Sequence, residues 1–327
     1  GLNQRIFALD EDLPLSAGLT VRGRTEEGEE VEVESSAELI LHRRTALTWD
    51  ETAKLAAFIT PREGTIAAYA SRLVQGYRAV PGLSSELGRA AAVVAGLGAE
   101  EILYVEDPDS PIPEVLGTAG AVDTVRFPRS TLQVRSGDCD DTTSLTASLL
   151  EAVGVPTAIM TSPGHVFLAL GLDDPPRNRW LYEGERRRVI LHRGRLWIPL
   201  ETTVLSRGFL AWEDASRLVD AGGTEILPTA EAWRRYPPLP LPETLFEQPN
   251  PTESDPERAL SALRDELLQS GLLYWRDRSA GAEGASAISV ENRIGALYGR
   301  FGDYSRAEEI LEALVEDGAL ALQANIV

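Results

Sequence analysis

Three features of the sequence predict an α+β fold. Thr142–Val153 runs without glycine or proline, and Leu145, Leu149, Leu150 and Val153 recur at helical spacing. Directly afterwards the period switches to two: Thr157–Met160 and His165–Leu170 read as buried strands on either side of the Pro163-Gly164 turn. Val189–Leu191 and Leu196–Leu200 add further short strands, as does Trp180-Leu181-Tyr182. A helix followed by closely joined short strands makes an antiparallel sheet behind one helix.

Residues 1–48 are expected to form a β-rich N-terminal region. Leu19–Gly23 and Glu30–Glu34 alternate with period two around the turn Glu26-Glu27-Gly28, and Ala37–His42 reads as one more strand. Residues 49–236 are expected to form the core. Trp49–Phe58 is a short amphipathic helix capped by Thr48, ended by Thr60-Pro61. Helices follow at Thr65–Gly76 and Ser84–Leu97, the latter with Ala90, Ala91, Val94 and Leu97 on one side. Ile102–Val105 is a short strand, a polar linker runs to Pro128, and Thr131–Val134 is read as a strand. Gly208–Ala221 returns to helix. Residues 237–256 are a proline-rich linker, extended and semi-rigid. Residues 257–327 are helical, about Pro256–Arg276, Ile288–Phe301, Ser305–Glu316 and a partial helix from Ala319.

The composition excludes some partners. The chain has 327 residues and a net charge of -20, which argues against nucleic acid and anionic membrane surfaces, since both need a basic face. No apolar run approaches the roughly 18 to 20 residues of a membrane span. One cysteine excludes an internal disulfide. Gly1 is not a natural start, so a leader or anchor is expected upstream.

That cysteine, Cys139, follows Gly137 and opens the Thr142–Val153 helix, with Asp138 as a good N-cap. A thiol in the first turn feels unpaired N–H groups and the positive end of the dipole, which favour a thiolate. Asp138, Asp140 and Asp141 oppose it by raising the thiol pKa. They are read first as N-terminal helix charges and second as substrate-side or ion-binding groups. The bland alternative is that Cys139 is a small buried apolar residue. Chemistry therefore needs a base, and His165, at the head of its strand, can lie beside the helix start. Glu201, at the end of Leu196–Leu200, can accept from the far imidazole nitrogen. His42 and His192 are read as surface residues.

Gly-Asp-Cys-Asp-Asp-Thr-Thr-Ser-Leu at a helix start, then Pro-Gly-His-Val-Phe-Leu-Ala, then Trp-Ile-Pro-Leu-Glu-Thr-Thr, resembles the bacterial transglutaminase-like cysteine peptidase superfamily. The likeness covers about Trp49 to Val219. It implies a papain-like core with Cys139 as nucleophile, His165 as base and an acidic third member. That member is usually aspartate; here it is Glu201. The oxyanion hole would use the Cys139 backbone N–H and one side-chain donor, for which Gln133 is the candidate. Asn292–Leu311 resembles a tetratricopeptide repeat, with its Gly-Asp-Tyr turn and with small Gly295 and Ala307.

The resemblance implies thiol acyl transfer on peptide or side-chain amides, hydrolysis before cross-linking, with no cofactor and no metal. It implies a protein or peptide substrate, a protein partner at the repeat-like helices and an extracytoplasmic location. Two alternatives stand beside it: a catalytically silent scaffold carrying a binding module, and a peptidoglycan or glycan amidase using the same triad.

Overall fold

The computed structural model describes residues 8–75, 77–106, 121–182, 184, 186–241, 250–280 and 285–316. It is a mixed helix-and-strand fold. The predicted linker between 107 and 120, residues 242–249 of the proline-rich stretch and the partial helix from Ala319 lie outside the described residues.

Strands β1 (Leu13–Arg24) and β2 (Glu30–Leu41) pair antiparallel along their whole length, Leu13 opposite Leu41 and Arg24 opposite Glu30. Ala37–Leu41 is the far end of β2, not a further strand, because the alternation runs on unbroken. Strand β3 (Ala46–Thr48) then enters the body. The helix expected from Trp49 is a 3-10 segment, Thr52–Phe58, and Glu51 occupies its N-cap while its carboxylate accepts from Tyr236 and pairs with Arg235 instead of capping. Thr48 instead donates to Asp50, 2.8 Å away, so it caps nothing.

Helix α1 (Gly64–Leu73) is capped by Glu63, whose carboxylate accepts from the Ile66 N–H. Helix α2 (Ser85–Ala99) is capped by Ser84 through the Leu87 N–H. Both follow the rule that a short polar side chain satisfies an orphan N–H. Strand β4 (Leu103–Tyr104) is shorter than expected, and β5 (Val122–Thr124) pairs with β3. Thr131–Val134 is not a strand: it lies in helix α3 (Pro128–Val134). Pro128 at the first helical position presets φ, which outweighs the β-branched residues that follow.

Arg135 turns left-handed at φ 56° and leads into β6 (Ser136–Gly137), which runs parallel to β4. Helix α4 (Cys139–Ala152) follows. Next come β7 (Thr157–Ser162) and β8 (His165–Gly171), joined by a two-residue turn in which Gly164 takes φ +69°. Trp180-Leu181-Tyr182 is also not a strand. Leu181 ends a 3-10 segment, Pro176–Leu181, again opened by a proline. Strands β9 (Ile190–His192) and β10 (Arg195–Leu200) complete a hairpin. Helix α5 spans only Ala211–Ala221, because the 3-10 stretch before it is broken at Gly208, φ +60°. Strand β11 (Glu225–Pro228) and the one-turn α6 (Thr229–Ala232) end the core.

The central sheet is antiparallel throughout, in the order β11-β7-β8-β10-β9. Its two faces follow the period of two. Ile159, Val166, Leu168, Leu170, Leu196 and Ile198 join the main core with Leu145, Leu149 and Leu150 of α4. Ala158, Met160, Phe167, Ala169 and Trp197 point the other way and are covered by Ala215, Leu218 and Val219 of α5.

Helices α7 (Pro256–Ser279), α8 (Ala285–Arg300) and α9 (Tyr304–Glu316) follow. A Cβ at Gly295 would meet Leu311 at 3.1 Å, so its small size lets α8 and α9 close on each other. Leu260, Leu263, Leu267, Trp275, Leu297 and Phe301 belong to the same apolar cluster as the α4 leucines. Arg187, buried, lies over the Trp212 ring of α5 and pairs with both Glu213 and Glu266 of α7. Among the described residues no helix is long and apolar enough to cross a membrane.

Candidate functional site

Helix α4 positions the thiol. Asp138 accepts from the Asp141 N–H across the first turn, so Cys139 is the first helical residue, as its sequence signals require. Gly137 is required by close approach: a Cβ there would sit 2.6 Å from the Asp141 Cβ. Most of the helix is buried although much of it is polar. Thr142, Thr146 and Ser148 bond back to carbonyls one turn earlier, and the Ser148 hydroxyl accepts from the Thr60 N–H.

Cys139 is 3% exposed. Burial, first, and then the charges of Asp138 and Glu201 push its thiol up to about 12, against the Val166 backbone N–H that donates to the sulfur. Of the two opposing influences read from the sequence, desolvation and the acidic neighbours outweigh the helix dipole.

The Val166 contact brings the head of β8 onto the sulfur and makes His165 the adjoining residue. His165 Nε2 lies 2.8 Å from Glu201 Oε2. Glu201 follows β10 and caps the next 3-10 turn, with its other oxygen accepting from the Thr203 N–H and hydroxyl. Burial works to raise Glu201, but the His165 and Thr203 bonds outweigh it and hold the carboxyl below its ordinary value. Because Nε2 is engaged, Nδ1 is the nitrogen left for the thiol. The ring stacks on Phe167, centroids 5.8 Å apart. Thus the three residues singled out from sequence lie on adjoining segments: a helix start, a strand start and a strand end.

The remaining sequence candidates fall as follows. Gln133 is exposed near the end of α3. Asp138, Asp140 and Asp141 are buried, and one ligand oxygen from each lies within 4.8 Å of the others, a group with the spacing to hold a metal ion. By hydrogen-bond geometry, the Asp140 oxygens have no partner among the described residues. Burial, and then the hydrogen bond and charge of Asp138, push Asp140 well above its ordinary value. Burial raises Asp141 to about 7, with Asp138 adding to it and Arg126 opposing. Arg126 donates to Asp141 from its backbone N–H at 2.6 Å and its guanidinium at 2.9 Å. His42 is exposed and bonded to Asp12, and His192 is half-buried in β9.

Sequence reasoning gave Tyr104 no role. The parallel β4–β6 pair sets it opposite Gly137, two residues before the thiol. Burial, and then the charges of Cys139, Glu106, Asp138 and Glu201, push its phenol up to about 12, so it stays a proton donor. Only the pairing of two two-residue strands brings Tyr104 there, and no local pattern announces such a pair. No protein family, curated protein or solved structure matches this chain.

Proposed function

We propose that this chain is a thiol acyl-transfer enzyme of transglutaminase-like, papain-like type, with Cys139, His165 and Glu201 as its triad. The observation that carries the reading is the 2.8 Å His165–Glu201 bond, made at the strand whose next N–H touches the Cys139 sulfur. Glu201 fixes the tautomer that carries its proton on Nε2, leaving Nδ1 as a base. Since burial keeps the thiol protonated, His165 removes its proton as the sulfur attacks an amide carbonyl, and then returns it to the leaving amine. Water resolves the thioester. The Cys139 N–H at the helix start faces the developing oxyanion. Gln133 and Tyr104 are the side-chain donors available, and Tyr104 is the better placed because its strand pairs beside the nucleophile turn. The substrate is a protein or peptide amide, and the α8–α9 pair, read as a tetratricopeptide-like repeat, serves a protein partner.

The test is acylation of Cys139 by an activated ester, followed by mass spectrometry. Replacing His165 with Ala is expected to slow it by about 10²- to 10⁴-fold. Equal rates in the intact protein and in His165→Ala overturn the reading. The burial of Cys139 and its raised pKa favour a second reading, a silent scaffold on the same fold. Under that reading the thiol reacts only on unfolding.

A further inference from the structure

The β1–β2 ribbon is amphipathic, and the described residues leave most of its apolar side exposed. Residues opposite each other in an antiparallel pair point to the same face. One face therefore carries six rows: Leu13/Leu41, Leu15/Leu39, Ala17/Ala37, Leu19/Ser35, Val21/Val33 and Gly23/Val31. None of these residues is charged. The other face carries Pro14/Ile40, Ser16/Glu38, Gly18/Ser36, Thr20/Glu34, Arg22/Glu32 and Arg24/Glu30. On the apolar face Leu19 is 64% and Val33 58% exposed. A lone two-stranded ribbon is marginal in water, and natural sheets cover such a face.

We infer that this face is covered by the same face of a second copy of the chain, the two ribbons stacked antiparallel about a two-fold axis. The row order supports this partner. Antiparallel stacking sets the first row against the sixth, the second against the fifth and the third against the fourth. Bulky Leu13/Leu41 then meets smaller Gly23/Val31, Leu15/Leu39 meets Val21/Val33, and small Ala17/Ala37 meets Leu19/Ser35. Large rows meet smaller ones in the first and third pairings, as interdigitating layers require, and a face that stays uncharged under its own inversion can form a closed two-fold interface. Parallel stacking would put alanines on alanines and leave a gap.

The area is also sufficient. Twelve residues at about 3.4 Å make a strip roughly 40 Å long. Two such strips bury about 1,000 Å² in total, the threshold for a specific, reversible interface. The acidic residues of the opposite face remain in water and disfavour an anionic lipid surface as the cover.

Sedimentation velocity on the intact chain, from about 1 to 100 μM, tests this over the range expected of an interface this small. A monomer–dimer equilibrium is expected. Leu19→Glu should weaken it at least about 100-fold, since it buries an unpaired charge, and Thr20→Glu on the opposite face should change it less than about twofold. Circular dichroism should show both variants folded, because the ribbon lies outside the core. For orientation, Leu41→Cys and Val31→Cys chains should form a disulfide-linked pair when mixed, and neither should when alone. The inference is overturned by a monomer at every concentration, by a dimer that survives Leu19→Glu, by same-position cross-links, or by a monomer that transfers to phosphatidylcholine vesicles through this face.

Discussion

The ribbon β1–β2 alternates apolar with polar residues, whereas Val166–Leu170 of β8 is apolar throughout, and the fates of the two regions are opposite. In β8 both sets of alternating residues are buried, because α4 covers one side and α5 the other. In β1 and β2 the described residues cover neither side, and every β1 residue is exposed. Alternation therefore specifies a strand and its register, whereas burial is decided by what the chain brings to each face.

Replacing buried side chains sharpens this contrast most. Phe167→Ala, on the α5 side of β8, should destabilise the body by about 3–5 kcal/mol in urea unfolding, from lost contacts and a cavity. A loss under about 1 kcal/mol would mean that the second face is loosely packed. Next comes the site between the two kinds of region. Glu201→Gln removes the charged acceptor of His165 and should cost about 1.5–3 kcal/mol. Because the folded carboxyl is held below its unfolded value, its contribution is present above that value and fades as pH falls through the folded pKa. The intact protein should thus lose stability on acidification more steeply than Glu201→Gln, and parallel pH curves would refute the assignment.

Gly137→Ala pushes a methyl group onto Asp141 and should cost about 1–3 kcal/mol, with slower acylation of Cys139 as the turn shifts. Alkylation of the intact thiol by iodoacetamide should keep rising beyond pH 9, since the thiol is pushed up to about 12. A plateau near neutral pH would show a preformed ion pair instead. The smallest effect belongs to the ribbon: Val33→Ala should leave unfolding of the body within about 0.5 kcal/mol.

Much of the site was legible because its signals are local. A glycine, a capping aspartate and a glycine-free apolar period announced α4 with Cys139 at its head, and a Pro-Gly turn announced β7 and β8. The reach of Glu201 to His165 could be stated as a possibility of neighbouring strands, and the structure makes the bond. Elsewhere the local signal misled. Thr131–Val134 and Trp180–Tyr182 carry β-favouring side chains, but a proline at the first helical position decides both segments. The burial of α4 was not legible either, since its threonines and serines look solvent-facing until their hydroxyls are seen bonded to the preceding turn. The position of Tyr104 depends on a parallel contact between distant segments, which no window of sequence contains.

Arg187 has a consequence for how the molecule comes apart. Its guanidinium is held between the Trp212 ring, Glu213 and Glu266, so detaching α7 would leave this buried cation with Glu213 as its one carboxylate among the described residues and expose Leu260, Leu263 and Leu267 together. Melting either half alone carries the cost of that exposed apolar surface and of the lost Glu266 pair. The proline-rich stretch is thus a joint in the sequence but not in the thermodynamics: calorimetry should record one cooperative heat-absorption peak spanning both sides of it.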